Sequence, residues 1–377
     1  MTSVAVGKGV SGSVSKRTDP PAAVPAEQAS VMARGVVSAI RDGDQLTQVQ
    51  LGLLSAVFES QFDLRVDVAQ LELISESELA AEMSALDDET RRRVVQLMVL
   101  GELVLKPIPP EVARRVAGYA DALAVEDQFV RIARRYAQGG FGLAWIDLHQ
   151  SGFVEHWELA GTDQLKTTVK LEHQLAAGVE DAPLAEAWAA FQDLAPGSLG
   201  REVWNMYRGR GFGLPGTTGG ASAYLAQHDF VHVLADYGTN LKGEFEVFSL
   251  IGRADPDPKG FAWIATLVGL FETGYVADAG FFTGDLTESR LVDSTMHVRV
   301  ADALYRGRVL RDRLGVDLLE VDYHEHAHRS IADVCTDLGL APKSDRAVEA
   351  GSPGAFDLDG MTMKQQVYAT SLEDSAT

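Results

Sequence analysis

Apolar residues recur at helical spacing along most of the chain, beginning near Ala29. Two apolar segments flank a polar turn at residues 41–44, and a third runs from Val94 to Leu105. A fourth, from Glu111 to Leu123, follows two prolines that suit the first turn of a helix. This pattern predicts an all-α, mostly helical protein. The 377 residues are enough for two domains, and we expect two helical ones.

Residues 227–244 read QHDFVHVLADYGTNLKGE and begin with a segment that is apolar except on one side. At about 100° per residue, its polar side chains share one sector of a helix. A helix that is otherwise apolar all round is buried, so these polar groups need a partner inside the protein. They are His228, Asp229, His232 and Asp236.

A second helix is expected after Gly238, which favours a helix end, with Thr239 or Asn240 as its N-cap. On this helix Glu244 lies on the apolar side, whereas Glu246 points the other way and is expected to stay in water. A buried carboxylate is costly unless it is paired or binds a metal. Two histidines at positions i and i+4, with a carboxylate from a neighbouring helix, are suitable ligands for zinc or a similar divalent ion. The alternative is a metal-free hydrogen-bonded network of the same side chains.

The spacing His-Asp-x-x-His, followed after eleven residues by Glu, resembles the signature of the Coq-four family of ubiquinone (coenzyme Q) biosynthesis proteins. The flanking residues resemble it too, in Pro196–Arg201, the loop Gly211–Gly216, Glu272–Gly274 and Tyr305–Arg308. The resemblance covers residues 183–342. It departs from the family at residues 323–330, YHEHAHRS, where we expect a solvent-exposed loop that leads into the last helix.

Coq-four proteins act where a polyprenylated hydroxybenzoate loses its ring carboxyl and the carboxyl is replaced oxidatively. The resemblance therefore implies a carbon–carbon lyase, a decarboxylase, that acts on a quinone precursor. The alternative is a non-catalytic lipid-binding scaffold, because these proteins also organise the biosynthetic assembly and bind lipid. The implied cofactor is a divalent metal, most simply zinc, held by His228, Asp229, His232 and Glu244.

The same resemblance gives roles to residues near the metal. Asp229 would be the weak ligand that leaves a coordination position open. Asp236 would fix a histidine tautomer as a second-shell group, and Glu272 would lie at the mouth of an apolar cavity. The apolar run Phe261–Phe271 would form a wall of that cavity, which would hold the isoprenoid tail of the substrate.

The N-terminal half looks like a TerB-like (tellurite-resistance-type) domain. The resemblance rests on the acidic turn and on the stretch PIPPEVARRVAGYADALAVED, and it covers residues 29–138. TerB-like domains are helical, and some carry acidic residues that bind metal. Asp42 and Asp44 are the candidates here, although a solvated turn favours aspartate for its own reasons. A third possible function is therefore metal binding in a stress response, carried out by this TerB-like half.

The residue composition of the remaining segments predicts their organisation. Residues 1–28, rich in Gly, Ser and Pro, predict a disordered leader, and residues 343–377 a flexible acidic tail. An aromatic, glycine-rich junction at 139–182 joins the TerB-like domain to the Coq-four-like domain (residues 183–342), and the two are expected to fold separately.

The net charge of −21 argues against nucleic acid as a partner and against long-range attraction to anionic membranes. A lipid-binding chain of this charge would reach the bilayer through a local patch or a partner protein. The single cysteine excludes an internal disulfide and suits a reducing compartment. We therefore expect a cytoplasmic protein, peripheral to the inner membrane face. Its expected partners are an isoprenoid lipid, quinone-biosynthesis proteins and a second copy of itself.

Overall fold

The computed structural model describes residues 25–125, 165–168, 180–255 and 291–376, apart from positions 44, 63, 106, 294 and 315–316. Within these ranges the chain forms fourteen α-helices and a few 3-10 turns, with no strand or sheet. Its β-type pairing there is limited to two isolated bridges. The prediction of an all-α protein is therefore confirmed.

Five helices lie in the first described range: α1 (Ala26–Ile40), α2 (Gln48–Phe62), α3 (Glu76–Glu82), α4 (Asp88–Leu103) and α5 (Pro110–Ala122). Four lie in the range around the histidine motif: α6 (Ala182–Ala189), α7 (Leu199–Arg210), α8 (Gln227–Ala235) and α9 (Leu241–Ala254). Five complete the chain: α10 (Met296–Leu314), α11 (Tyr323–His326), α12 (Ile331–Leu338), α13 (Asp345–Glu349) and α14 (Met363–Ala376). Among these helices, none combines the length and apolar character needed to cross a bilayer.

Local sequence explains several helix starts in the N-terminal half. The Ser75 hydroxyl and the Glu78 carboxylate form a capping box at the start of α3, and Asp87 caps α4 by accepting from the Thr90 N–H. Proline at the entry of α5 stands where predicted. The buried Gln50 amide donates to Ile40 O at the end of α1 and to Gly101 O in α4, so it ties three helices together.

Helix α10 packs against α9 on one side and against α2 on another, and the buried apolar residues of both halves form one cluster. Separating the halves would expose the α2 and α10 faces to water. The expectation that the two halves fold separately stays a prediction. Each half, produced alone, would have to remain folded without the packing of α10 against α2.

A buried ion pair also joins α9 and α10. The Arg299 guanidinium donates to Glu246 Oε2, and both side chains are buried, at 4 % and 0 % exposure. The prediction that Glu246 stays in water is therefore wrong. The helix position of Glu246 was read correctly as opposite to Glu244, but α10 covers that face and supplies the matching charge.

One predicted boundary also changes. Helix α1 begins at Ala26, so the predicted leader is too long by three residues, and residues 1–24 lie outside the described part. Most of the predicted junction, residues 139–164 and 169–179, also lies outside it, as does the apolar run 261–271.

Gly307 lies at a close contact between α10 and α9. A Cβ there would lie 2.4 Å from Leu250 O and 2.9 Å from Arg253 Cβ. We expect Gly307→Ala to lower the free energy of unfolding by about 1–3 kcal/mol, because backbone cannot yield as a flexible side chain can. Urea denaturation is the measurement. Gly209→Ala in α7, where nothing lies within 4 Å, is the matched control and should be neutral or slightly stabilising. Equal stability of the two variants would contradict this account of the helix crossing.

Candidate metal centre

Helix α8 carries three of the predicted ligands into the interior. All nine of its residues are buried, as the apolar pattern predicted. One atom each from His228, Asp229 and His232 can be chosen so that all lie within 4.8 Å of one another, so this group could hold a metal ion. Among the described residues it is the one such group of histidine, cysteine and acidic side chains.

Glu244, in the first turn of α9, faces both histidines. Its Oε1 lies 3.3 Å from His232 Nε2, and its Oε2 lies 3.6 Å from His228 Nε2. His228 Nε2 also lies 3.6 Å from Asp229 Oδ1. Three of the four predicted ligands therefore form the group that could hold a metal ion, and the fourth, Glu244, contacts both histidines of that group. Asn240 makes this possible as the predicted N-cap of α9, because its side chain accepts from the Gly243 N–H at 2.9 Å.

Backbone carbonyls fix both imidazoles in one tautomer. His228 Nδ1 bonds to Leu225 O, and His232 Nδ1 bonds to Tyr237 O at 3.2 Å. A carbonyl oxygen only accepts, so each Nδ1 must carry the hydrogen. Whenever such a ring is neutral, it presents the lone pair of Nε2 toward the carboxylates, which is the form that binds a metal.

The four predicted ligand side chains offer more hydrogen-bond acceptors than the surrounding protein satisfies. His232 Nε2 and Glu244 Oε2 are both buried without a hydrogen-bond partner. Burial alone lowers the pKa of His228, yet the carboxylates of Asp229 and Glu244 raise it to about 9. Burial raises the pKa of Glu244, but the two histidines outweigh it and lower that pKa to about 2. The site thus draws in positive charge, which a proton on His228 supplies and a divalent cation would displace. These residues fit a divalent metal.

Tyr207, in α7, holds the Asp229 carboxylate in place. Its hydroxyl donates to Asp229 Oδ2 at 2.5 Å, which leaves Oδ1 toward His228. Burial raises the pKa of Tyr207 well above its usual value, so the hydroxyl keeps its proton. The sequence pattern alone gave Tyr207 no role in the site. A helical tyrosine on an apolar face needs a hydrogen-bond partner, and that signal could have singled it out.

Of the two predicted second-shell residues, Asp236 and Glu272, the structure describes only Asp236, and its predicted role is wrong. Asp236 ends α8 with a left-handed backbone (φ 59°), two residues before the glycine expected to do so. Its carboxylate accepts from the Ala355 N–H at 2.9 Å and lies 3.4 Å from Lys343 Nζ. It contacts neither histidine ring, because the carbonyls of Leu225 and Tyr237 take that role. Glu272 lies outside the described residues.

The C-terminal segment (residues 343–376) packs against the turn between α8 and α9. The Asn240 N–H donates to Gly360 O at 2.8 Å, and its side-chain amide donates to Asp359 O at 2.7 Å. The buried Arg210 bonds to the Thr239 hydroxyl and to Ala355 O, and that hydroxyl donates to Gln365. The prediction of a flexible tail is therefore wrong for these residues. Its polar side chains cap helices and bond to backbone groups, so composition alone was misleading.

The histidines of residues 323–330 are not all exposed as predicted. His324 lies in α11, with its ring 5.0 Å from that of Phe191 and 6.1 Å from that of Trp188. Burial lowers its pKa to about 4. His328 is exposed. Ser330 caps α12, because its side chain accepts from the Asp333 N–H.

The remaining candidates do not form metal groups within the described residues. Asp42 is exposed and pairs through its backbone with Gln45, as in a solvated turn, and Asp44 lies outside the description. Cys335 is half-buried, and its thiol donates to Leu234 O at 3.3 Å.

Tyr207→Phe removes the donor that holds Asp229. We expect metal affinity to fall about tenfold, because second-shell bonds orient ligands at that scale. Competition with a chromophoric chelator measures it. Tyr323→Phe is the control, since the Tyr323 hydroxyl is equally buried but donates to Leu318 O, away from the ligands. Metal affinity that falls equally in both variants would show a general loss of stability instead.

Gly238→Ala tests whether the C-terminal segment supports the site. A Cβ at Gly238 would lie 2.5 Å from Gly360 Cα, so the segment must move from the turn that holds His232. We expect about tenfold weaker metal binding by the same chelator competition. The uncrowded Gly209→Ala should bind metal as the wild type does. Unchanged affinity in Gly238→Ala would mean that the turn keeps its form without this contact.

Comparison with known proteins gives no match: no protein-family model, no curated protein and no solved structure corresponds to this chain. The likeness to the Coq-four family therefore rests on the histidine motif, Glu244 and the flanking residues, and the likeness to TerB-like domains rests on pattern.

Proposed function

We propose that this chain is a zinc-dependent lyase of quinone biosynthesis that decarboxylates a polyprenylated hydroxybenzoate. The observation that carries the metal site is the pair of buried acceptors, His232 Nε2 and Glu244 Oε2, that lack a hydrogen-bond partner. The choice of substrate rests on the motif, which resembles that of the Coq-four family.

Zinc is proposed over other divalent ions because of the donor set. Two imidazole nitrogens with carboxylate oxygens suit zinc, whereas magnesium and calcium prefer oxygen ligands throughout. His228 and His232 would bind through Nε2, Glu244 through its carboxylate and Asp229 through Oδ1. This assignment agrees with the hydrogen bonds that occupy the other polar atoms of three of these side chains.

The chain itself would orient the reacting groups. A bound zinc ion would supply a Lewis acid toward a phenolate or carboxylate oxygen of the substrate. His232 is fully buried, whereas His228, Asp229 and Glu244 keep 6–8 % of their surface exposed. A ligand would therefore approach from the side of those three. Tyr207 holds Asp229 through Oδ2 only. Asp229 Oδ1 would therefore be free to move off the zinc ion and so open the coordination position that catalysis needs.

A second candidate, the non-catalytic lipid-binding scaffold, is favoured by one observation. All four ligands come from the protein and are buried where α8 meets α9, as in a structural site. Either function would have an isoprenoid lipid as ligand, with contacts to a membrane surface and to quinone-biosynthesis proteins.

The metal content is the first test. We expect about one zinc ion per chain in protein purified without added metal, measured by elemental analysis. His232→Ala should lose it, and Glu244→Gln should bind it more weakly. The controls are His328→Ala and Glu186→Gln, both exposed. Glu246→Gln would break the buried pair with Arg299 and is unsuitable as a control. Equal zinc in wild type and His232→Ala would overturn the site.

Release of carbon dioxide is the test of the chemistry. Given a polyprenyl hydroxybenzoate labelled in the ring carboxyl, with oxygen present, the wild type should release labelled carbon dioxide. Glu244→Ala should abolish release, and Glu186→Ala should leave it unchanged. If the wild type binds the lipid tightly but releases no carbon dioxide with any divalent metal, the scaffold function replaces the lyase.

A further inference from the structure

The exposed apolar side chains of this protein are concentrated in the C-terminal segment. Within the described ranges, five of the nine large hydrophobic residues that are exposed lie between positions 356 and 368. They are Phe356, Leu358, Met363, Val367 and Tyr368. Single exposed apolar residues need no explanation, but a cluster of them marks a contact surface.

The outer side of α14 carries the most exposed of these residues. At about 100° per residue, Gln365 lies opposite Met363 and Val367. The Gln365 side chain is buried and accepts from the Thr239 hydroxyl, so that side of the helix faces the protein. Met363 and Val367, at 81 % and 67 % exposure, therefore form a crest that faces water.

The two flanks of α14 adjoin different elements. On one flank lies Tyr368, and a Cβ at Gly211, which directly follows α7, would lie 3.0 Å from its ring. On the other flank lies Gln366, whose side-chain amide donates to Leu358 O at 2.9 Å. One surface therefore runs from α7, over the crest of α14, to the loop at residues 356–359.

The α7 end of this surface is basic. Arg201 and Arg208 lie one turn before and one turn after Trp204, with their guanidinium carbons 5.1 and 5.4 Å from the centre of its ring. Arg208 is one turn before Gly211, so this face of α7 leads directly to α14. Among the described residues, neither arginine forms an ion pair with a carboxylate. The neighbouring Glu202 carboxylate accepts instead from a backbone N–H and from an asparagine amide.

The loop end of the surface is acidic. Asp357 and Asp359 stand on either side of Leu358, and all three are exposed. The bond from Asn240 goes to the backbone oxygen of Asp359, which leaves its carboxylate toward water. The exposed Lys364 lies on the α7 side of the crest and adds to the basic end. The surface is thus basic at one end, apolar in the middle and acidic at the other end.

We propose that this surface is the interface of a homodimer with two-fold symmetry. A surface with opposite charges at its two ends is complementary to a second copy of itself turned by 180°. The basic end of each copy meets the acidic end of the other, and the apolar crests pack together in the middle, as in the core and rim of other interfaces. The proposal does not depend on the metal site or on the lyase function.

A second copy suits this surface better than an anionic bilayer does. Such a bilayer would attract Arg201 and Arg208 but repel Asp357 and Asp359, whereas a second copy offers each end the opposite charge. The net charge of −21 also sets two copies against each other. At physiological salt, however, the Debye length of about 8 Å screens distant charges more than it screens those in contact.

Sedimentation equilibrium of the full chain at physiological salt measures the dimerisation constant. We expect the wild type to approach twice the mass of one chain as its concentration rises. Met363→Glu should weaken dimerisation by about tenfold or more, because symmetry places the new carboxylate in the apolar middle of the interface twice. Leu73→Glu, at an exposed apolar residue of the N-terminal half, is the control and should dimerise as the wild type does. A wild type that stays monomeric, or a Met363→Glu variant with the wild-type constant, would overturn the proposal.

Exchanging charges between the two ends gives a result that misfolding cannot imitate. Arg208→Glu and Asp359→Arg should each weaken dimerisation about tenfold, because each brings like charges together at both symmetric contacts. The variant with both changes restores opposite charges there and should recover to within about threefold of the wild type. Arg92→Glu, exposed on α4, is the control for the change of net charge. A double variant that dimerises no better than the single ones would contradict the two-fold arrangement.

Cosedimentation with vesicles of phosphatidylglycerol and phosphatidylcholine tests the bilayer as the alternative partner. We expect the wild type and Met363→Glu to cosediment to the same extent, because the crest is not the group that contacts lipid. A monomeric wild type that cosediments, with Met363→Glu left in the supernatant, would overturn the dimer and assign this surface to a membrane.

Discussion

The interior of this protein depends on how it satisfies an excess of buried acceptors at the meeting of α8 and α9. Two imidazole nitrogens and two carboxylates converge there, and an uncompensated negative charge in such a place is costly. The backbone commits both Nδ1 atoms to carbonyls, so only the Nε2 side can respond. Either a proton or a cation must enter, and the high pKa of His228 shows how strongly the site attracts one.

The turn from Asp236 to Asn240 transmits the rest of the fold to this site. Its Tyr237 carbonyl orients His232, while the Tyr237 ring lies 5.0 Å from the Arg306 guanidinium and 5.7 Å from Lys343 Nζ. Arg306 also donates to Ala235 O at the end of α8. The C-terminal segment, α10 and the end of α8 therefore all contact one short turn. A substitution in any of them should alter the orientation of the His232 ring.

The parts of the site that could be predicted are those encoded within one helix or one turn. The spacing of His228 and His232 and the apolar face of Glu244 follow from helix periodicity. The cap, predicted as Thr239 or Asn240, follows from the residue types that begin helices. The errors concern partners far along the chain. Glu246 is buried because of Arg299, 53 residues away, and Asp236 bonds to Ala355, 119 residues away. A local pattern shows that a polar group needs a partner, but tertiary packing decides which one.

The two carboxylates on α9 show why the site calls for a cation from outside the chain. Glu244 and Glu246 are two residues apart, and both are buried, at 7 % and 0 % exposure. The chain neutralises Glu246 with the guanidinium of Arg299. Among the described residues, no arginine or lysine pairs with Glu244, and the groups that approach it are two imidazoles held ready to give up their Nε2 lone pairs. Glu246 thus has a fixed positive partner, whereas the charge of Glu244 is balanced by groups that can take up a proton or, together with Asp229, could hold a metal ion.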